Sequence, residues 1–354
     1  MTLSKQLIFK AFGSEMAAIT SRHHRAEMCI AGVFRPAHPV ATGNFMQIRR
    51  NDFDVTNRIK TTDPSLVERE IGRLFHLLYP EASAKLMGRA FADMVRLYTG
   101  NYPGYLACDT SYHDLQHVME VTLAMSRLMD GYERSRRDSP ALGESLFQLG
   151  ILTALFHDMG YLRKTTDSDA KTGAAFTINH VSRGAAFLRE YLPQIGMYDY
   201  ADAGAELIHF TGYEKHVGNI LISEPLLRLL GSLLGSSDII AQMADRCYLE
   251  KCRDRLYPEF VEGGVAVRQT ASGEQIVFSS GDDLVKKTPG FFDTAVQRLE
   301  HDLGGAYNYA ATHFGGFNLY LHAASKNVHF AKQVGADGNH ALRRTPPTKL
   351  PEPD

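Results

Sequence analysis

The stretch SLFQLGILTALFHDMGY, Ser145 to Tyr161, is apolar on nearly every side of a helix and then stops at a polar pair, His157-Asp158. A helix that is hydrophobic all round belongs inside a bundle rather than on its surface. The segment therefore predicts the central helix of an all-α domain. Its inner end carries a carboxylate where an isolated charge is expensive, so Asp158 is expected to pair or to bind a metal.

The segments on either side repeat the helical signal with one polar face. Asp63-Pro64-Ser65 has the form of a helix start, and Leu66, Ile71, Leu74, Phe75 and Leu78 follow at helical spacing. Leu86, Met87, Phe91, Met94, Val95 and Leu97 form a second run that ends at Gly100 and Pro103. Ser111-Tyr112-His113-Asp114-Leu115-Gln116-His117 leads into a third, through Val118, Val121, Met125 and Leu128. Beyond the central segment, helices are expected over Ser182 to Leu192, Asp199 to Phe210, Glu224 to Leu234, Ile239 to Leu256 and Phe291 to Leu303. One segment breaks the pattern. Gly263 to Arg268 and Gln275 to Phe278 flank Ala271-Ser272-Gly273-Glu274, which reads as a small β-hairpin inserted at about 263–280.

A chain of 354 residues is long enough for two units at about 150 residues each, or for one enlarged helical domain. The patterning favours an extension over 1–62, a helical catalytic domain over 63–334 and a flexible tail over 335–354, where prolines crowd the last positions. The net charge of −2 gives no electrostatic case for a nucleic acid polymer or an anionic membrane. No apolar run reaches the roughly 18 residues of a membrane span, and Lys10 and Glu15 interrupt the first segment. Cys29, Cys108, Cys247 and Cys252 form no CxxC pair and read as buried reduced thiols. A cytoplasmic location is the default expectation, and the oligomeric state stays open.

The chemistry lies in an ordered set of His and Asp residues. His113 and His117 are four apart, which on a helix puts them on one face. His157-Asp158 ends the buried helix, and His180, His209 and Asp238 follow near helix ends or faces. Nitrogen and oxygen donors in this mixture suit Zn, Mn, Fe or Mg. Other charges read as bland. Arg163, Lys164 and Arg183 could meet a phosphate but fit a solvated loop as well, and Asp245-Arg246 reads as a structural ion pair.

On His117, His157-Asp158 and Asp238, the H…HD…D order, the chain resembles the HD superfamily of metal-dependent phosphohydrolases over roughly residues 65–330. The resemblance implies an HD-domain helical bundle in which these four residues hold one divalent ion. It further implies that Asp158 bridges to a second, for which His180 and His209 are the natural ligands. More narrowly, Tyr112-His113-Asp114-Leu115-Gln116-His117 resembles the Y-H-N-x-x-H motif of class I cyclic nucleotide phosphodiesterases. That likeness makes His113 the general acid, with Asp158 counted beside it in the catalytic set, and suggests a cyclic nucleotide or another nucleotide phosphoester as substrate. The match departs at Tyr161, where the phosphodiesterase pattern H-D-x-x-H has a histidine.

The same six ligands also fit a di-iron oxygenase of the HD type, and a non-catalytic sensor that binds metal or nucleotide is a third reading. His113 favours hydrolysis, because a departing alkoxide needs a proton and an oxygenase has no evident use for that acid.

Overall fold

The helix starts are set by local chemistry that the sequence displays. In the computed structural model, which describes residues 48–270, 273–337 and 342–347, helix α1 (Pro64–Leu78) begins with the Asp63 side chain accepting a hydrogen bond from the Ser65 amide. Helix α2 (Lys85–Tyr98) turns Met87, Phe91, Met94 and Leu97 inward. Helix α3 (Leu115–Ser135) is capped by Asp114, which accepts from the His117 amide at 3.0 Å. Helix α4 (Gly143–Phe156) is the expected central element. Every residue from Leu149 to Phe156 is buried, and α4 packs against α2, α3 and the later helix α7 (Pro225–Ala244). Each large apolar side chain buried there contributes about 1.5–3 kcal/mol.

Between them run α5 (His180–Gln194) and the short α6 (Ala201–Leu207). Where one helix was expected over Asp199 to Phe210, α6 lies between 3-10 turns at Tyr198–Tyr200 and Ile208–Phe210. After α7 come α8 (Tyr248–Lys251), a π-helical turn at Cys252–Leu256 and α9 (Tyr257–Glu262). Strands β1 (Val267–Thr270) and β2 (Gly273–Ile276) then pair antiparallel, with Val267 opposite Ile276 and Thr270 opposite Gly273. Helices α10 (Gly281–Gln297), α11 (Tyr309–His313) and α12 (Leu319–Asp337) complete the order. The described part of the chain is thus mostly helical, with the hairpin as its single sheet. None of the described helices is long and apolar enough to cross a membrane.

Several expected boundaries move. The break expected between Leu234 and Ile239 is absent, because Ser237 donates to the Leu234 carbonyl and the helix absorbs its own hydroxyls. Asp238 consequently sits within α7. The helix ends at Asp245 instead, whose carboxylate accepts from the Cys247 amide. With the chain turning there, Asp245 pairs with Lys251 and Arg246 donates to Asn51, so the expected Asp245-Arg246 ion pair does not form. Helix α10 starts ten residues before Phe291, capped by Ser280 and carrying Pro289 in its interior. Gly273 and Glu274, read as loop, pair within β2, and Ala271 and Ser272 lie outside the described residues.

The terminal assignments also change. Residues 48–62 belong to the domain: Asp54 forms a buried ion pair with Arg127 of α3, and Thr61 donates to Glu120. Helix α12 runs past the boundary placed at 334. Residues 342–347, assigned to a flexible tail, pack on the domain, with Leu342 buried and the Arg344 amide donating to Glu250 at 3.1 Å. Residues 1–47, including Cys29, and the rest of the tail lie outside the described residues. Cys247 and Cys252 are buried free thiols, and Cys108 is partly buried with its Sγ 3.2 Å from Thr110 Oγ1.

Candidate metal centre

Three helices bring the central residues together. His117 lies in the first turn of α3, His157 is the C-cap of α4, and Asp238 comes from α7. Asp158 follows His157 as the chain leaves α4 for a 3-10 turn, Met159–Tyr161. His117 Nε2 stands 3.3 Å from Asp158 Oδ2 and 3.5 Å from Asp238 Oδ1. His157 Nε2 stands 3.2 Å from Asp158 Oδ2 and 3.9 Å from Asp238 Oδ1. Ligands held about 2.1 Å from one ion are themselves about 3.0–3.4 Å apart, so this spacing suits a shared cation.

The hydrogen bonding supports the same use. His157 Nδ1 lies 2.8 Å from the Ala154 carbonyl, which can only accept, so that nitrogen carries the proton. The Nε2 lone pair of the neutral ring then faces the carboxylates. Both His157 Nε2 and Asp158 Oδ2 are buried with no hydrogen-bond partner. Native interiors rarely leave such atoms orphaned, and a divalent cation would satisfy both. His117, His157 and Asp158 form a buried group able to hold a metal, and Asp238 borders it.

Electrostatics sharpen the picture. Burial works against a charge on His117, yet the Asp158 and Asp238 carboxylates, 3.3 and 3.5 Å from its Nε2, push it up to about 10. Burial likewise opposes charge on His157, and the same carboxylates outweigh it. Burial would raise Asp158, but the His157 and His117 imidazoles beside it hold it well below the usual carboxylate range. The two carboxylates thus favour positive charge beside them, whether a proton on an imidazole or a cation.

The chain matches no protein-family model, no curated protein and no solved structure.

His180 opens α5, with Nδ1 2.8 Å from the Thr177 carbonyl and Nε2 3.8 Å from Asp158 Oδ1. A backbone acceptor at Nδ1 fixes Nε2 toward the site, as supporting partners of metal ligands usually do. Burial lowers its pKa, favouring the neutral imidazole that a metal needs. His209 stands apart. It is buried on the 3-10 turn Ile208–Phe210 with Nδ1 unpartnered, and its charged neighbours are Lys215, Glu206 and Glu214. Among the described residues, it comes within 4 Å of neither the Asp158 nor the Asp238 carboxylate.

His113 reaches the site by a different route from the one expected. It precedes the cap Asp114 and is not on α3, although its ring still lies 5.8 Å from that of His117. Two residues hold it. Glu259 of α9 accepts from His113 Nδ1 at 2.6 Å while its other oxygen accepts from the Tyr112 amide. Tyr161 stacks on its face at 4.1 Å and 14°, and stacks also on His180 at 4.4 Å. Glu259 escaped the sequence reading because nothing in the motif points across 146 residues. Arg163 and Arg183 are committed to the loop: Arg163 binds Asp109, and Arg183 binds Asp167 and the Gly160 carbonyl.

The turn after Asp158 depends on Gly160. A Cβ there would lie 1.7 Å from the His180 carbonyl oxygen, a clash between two backbones with no flexible side chain to yield. Gly160→Ala is expected to lower stability by about 1–3 kcal/mol and to displace His180. Denaturant unfolding and metal titration check this; an unchanged midpoint with unchanged metal binding would count against it.

Proposed function

We propose that this chain is a metal-dependent phosphohydrolase with an HD-type helical bundle, acting as a phosphodiesterase on a cyclic nucleotide or another nucleotide phosphoester. The observation that carries the reading is the buried group of His117, His157 and Asp158, bordered by the half-buried Asp238, with His157 Nε2 and Asp158 Oδ2 lacking hydrogen-bond partners inside it. Mn, Mg, Zn and Fe all suit these donors. A bound divalent ion supplies Lewis acidity toward the phosphoryl group and an activated water.

The chain's own residues do the rest. Asp158 sets its two oxygens toward different imidazoles, Oδ2 toward His117 and His157 and Oδ1 toward His180. This disposition suits a bridge between two ions, with His180 as ligand to the second. His113, its Nδ1 proton engaged by Glu259, keeps Nε2 available to deliver a proton to the departing oxygen. Tyr161 holds the ring plane during that transfer. The oxygenase alternative uses the same six ligands, so His209 does not separate the two; hydrolysis is favoured by His113, held beside the group by Glu259 and Tyr161.

Elemental analysis of the purified protein, paired with hydrolysis of bis(p-nitrophenyl) phosphate in added manganese, tests the proposal. Bound metal with turnover is the expected result, leading to a panel of nucleotides. Two irons without turnover would shift the reading to the oxygenase, and neither metal nor turnover would leave a binding role.

A further inference from the structure

The segment 342–347 lies across α8 and the π-helical turn, and its contacts lead back to the metal centre. The Arg344 amide donates to Glu250 Oε1 at 3.1 Å, and the Thr345 carbonyl accepts from Asn51 at 3.0 Å. The Pro347 carbonyl accepts from the Arg255 guanidinium. That guanidinium also donates to Asp114 Oδ2 at 3.3 Å. Asp114 Oδ1, in turn, accepts from the His117 amide and caps the helix that presents this ligand. Arg255 is therefore the link between the segment and the turn carrying His113 and His117.

We propose that residues 342–347 act as a strap whose docking, relayed by Arg255 and Asp114, holds the His113–His117 turn in metal-binding geometry, so that release of the strap weakens metal binding.

Leu342 is the one residue of the strap that is fully buried, and its apolar gain is set against the backbone entropy of six ordered residues. Beneath the strap, Glu250 is completely buried with Oε2 unpartnered, and the strap's Arg344 amide is the partner of its other oxygen. A carboxylate so poorly solvated recovers hydration when its cover lifts. Arg255 touches neither substrate nor metal in this scheme; it is a positioning residue, and its effect passes through the Asp114 cap.

The test uses three variants of the full chain: Arg255→Ala, Arg255→Lys and a chain ending at Ala341. Cys247, buried with its Sγ 3.9 Å from the Thr345 carbonyl, reports the strap through its rate of thiol labelling. Exchange of the His117 amide, read on a peptide spanning 113–119, reports the cap and needs no metal. Manganese titration reports the site, and this arm rests on the phosphohydrolase reading. The shortened chain should label at Cys247 and exchange faster at His117. Both it and Arg255→Ala should bind manganese about tenfold more weakly, as loss of an outer partner of a metal ligand usually does. Arg255→Lys should restore most of that binding. Faster labelling with unchanged amide exchange would overturn the strap's coupling to the site, as would unchanged manganese affinity in Arg255→Ala. A full chain that binds no metal would instead overturn the phosphohydrolase reading, and amide exchange alone would then decide the coupling.

Discussion

Asp158→Ala is expected to lose bound metal and turnover together, with activity falling at least about a thousandfold. The carboxylate lies within 3.3 Å of both His117 and His157 and 3.8 Å from His180, so no other residue supplies its two oxygens. Asp238 alone cannot neutralise a divalent ion among three imidazoles. Asp158→Asn separates charge from shape, because it keeps the volume and should leave the fold intact while still failing to bind metal. Chelation of the unmodified protein should have the same effect reversibly, with manganese restoring turnover. A metal-free variant that stays active would contradict the assignment, and so would one that keeps its full metal content.

The sign of the proton linkage adds a check. In the metal-free protein, Asp158 and Asp238 hold His117 up to about 10, so below that pH the imidazole carries a proton that a metal must displace. Affinity should rise as pH rises from 7 to 9, approaching tenfold per unit for one displaced proton. Conversely, Asp158 has a depressed folded-state pKa. Its contribution to stability is present above the ordinary carboxylate range and is lost as pH falls through the folded value.

The parts of this molecule that could be read from sequence are those fixed by neighbours along the chain. The all-round apolar run ending in His157-Asp158 is buried from Leu149 onward, and the Asp63 cap acts as its side chain dictates. Boundaries failed where a local signal was overridden. Ser236 and Ser237 look like a break, yet they lie buried within α7, and Ser237 returns its hydroxyl proton to the helix. The helix expected from Phe291 starts at Gly281 and carries Pro289 in its interior. Contacts between distant segments left no trace in the pattern. The Glu259 carboxylate beside His113 and the docking of residues 342–347 depend on how α8 and α9 pack. His209 follows the order of the motif, and it is buried on a 3-10 turn with Nδ1 unpartnered.

His113→Ala is the second large effect, and its form separates a proton donor from a ligand. Metal content should stay near that of the unmodified protein, because His113 Nδ1 is engaged by Glu259 and the ring is not part of the His117–His157–Asp158 group. On a phosphodiester with a poor alkoxide leaving group, kcat should fall about 10²–10⁴-fold, the usual worth of a positioned general acid. On bis(p-nitrophenyl) phosphate the loss should be far smaller, since nitrophenolate leaves without a proton. Glu259→Gln keeps a hydrogen-bond acceptor beside Nδ1 but removes its charge, and should give an intermediate loss with the same dependence on leaving group. If His113→Ala slows both substrates equally, the ring serves to position the Tyr161 and His117 side chains against it rather than to deliver a proton. If it also sheds the metal, His113 belongs to the ligand set, and the division of labour between His113 and His117 must be redrawn.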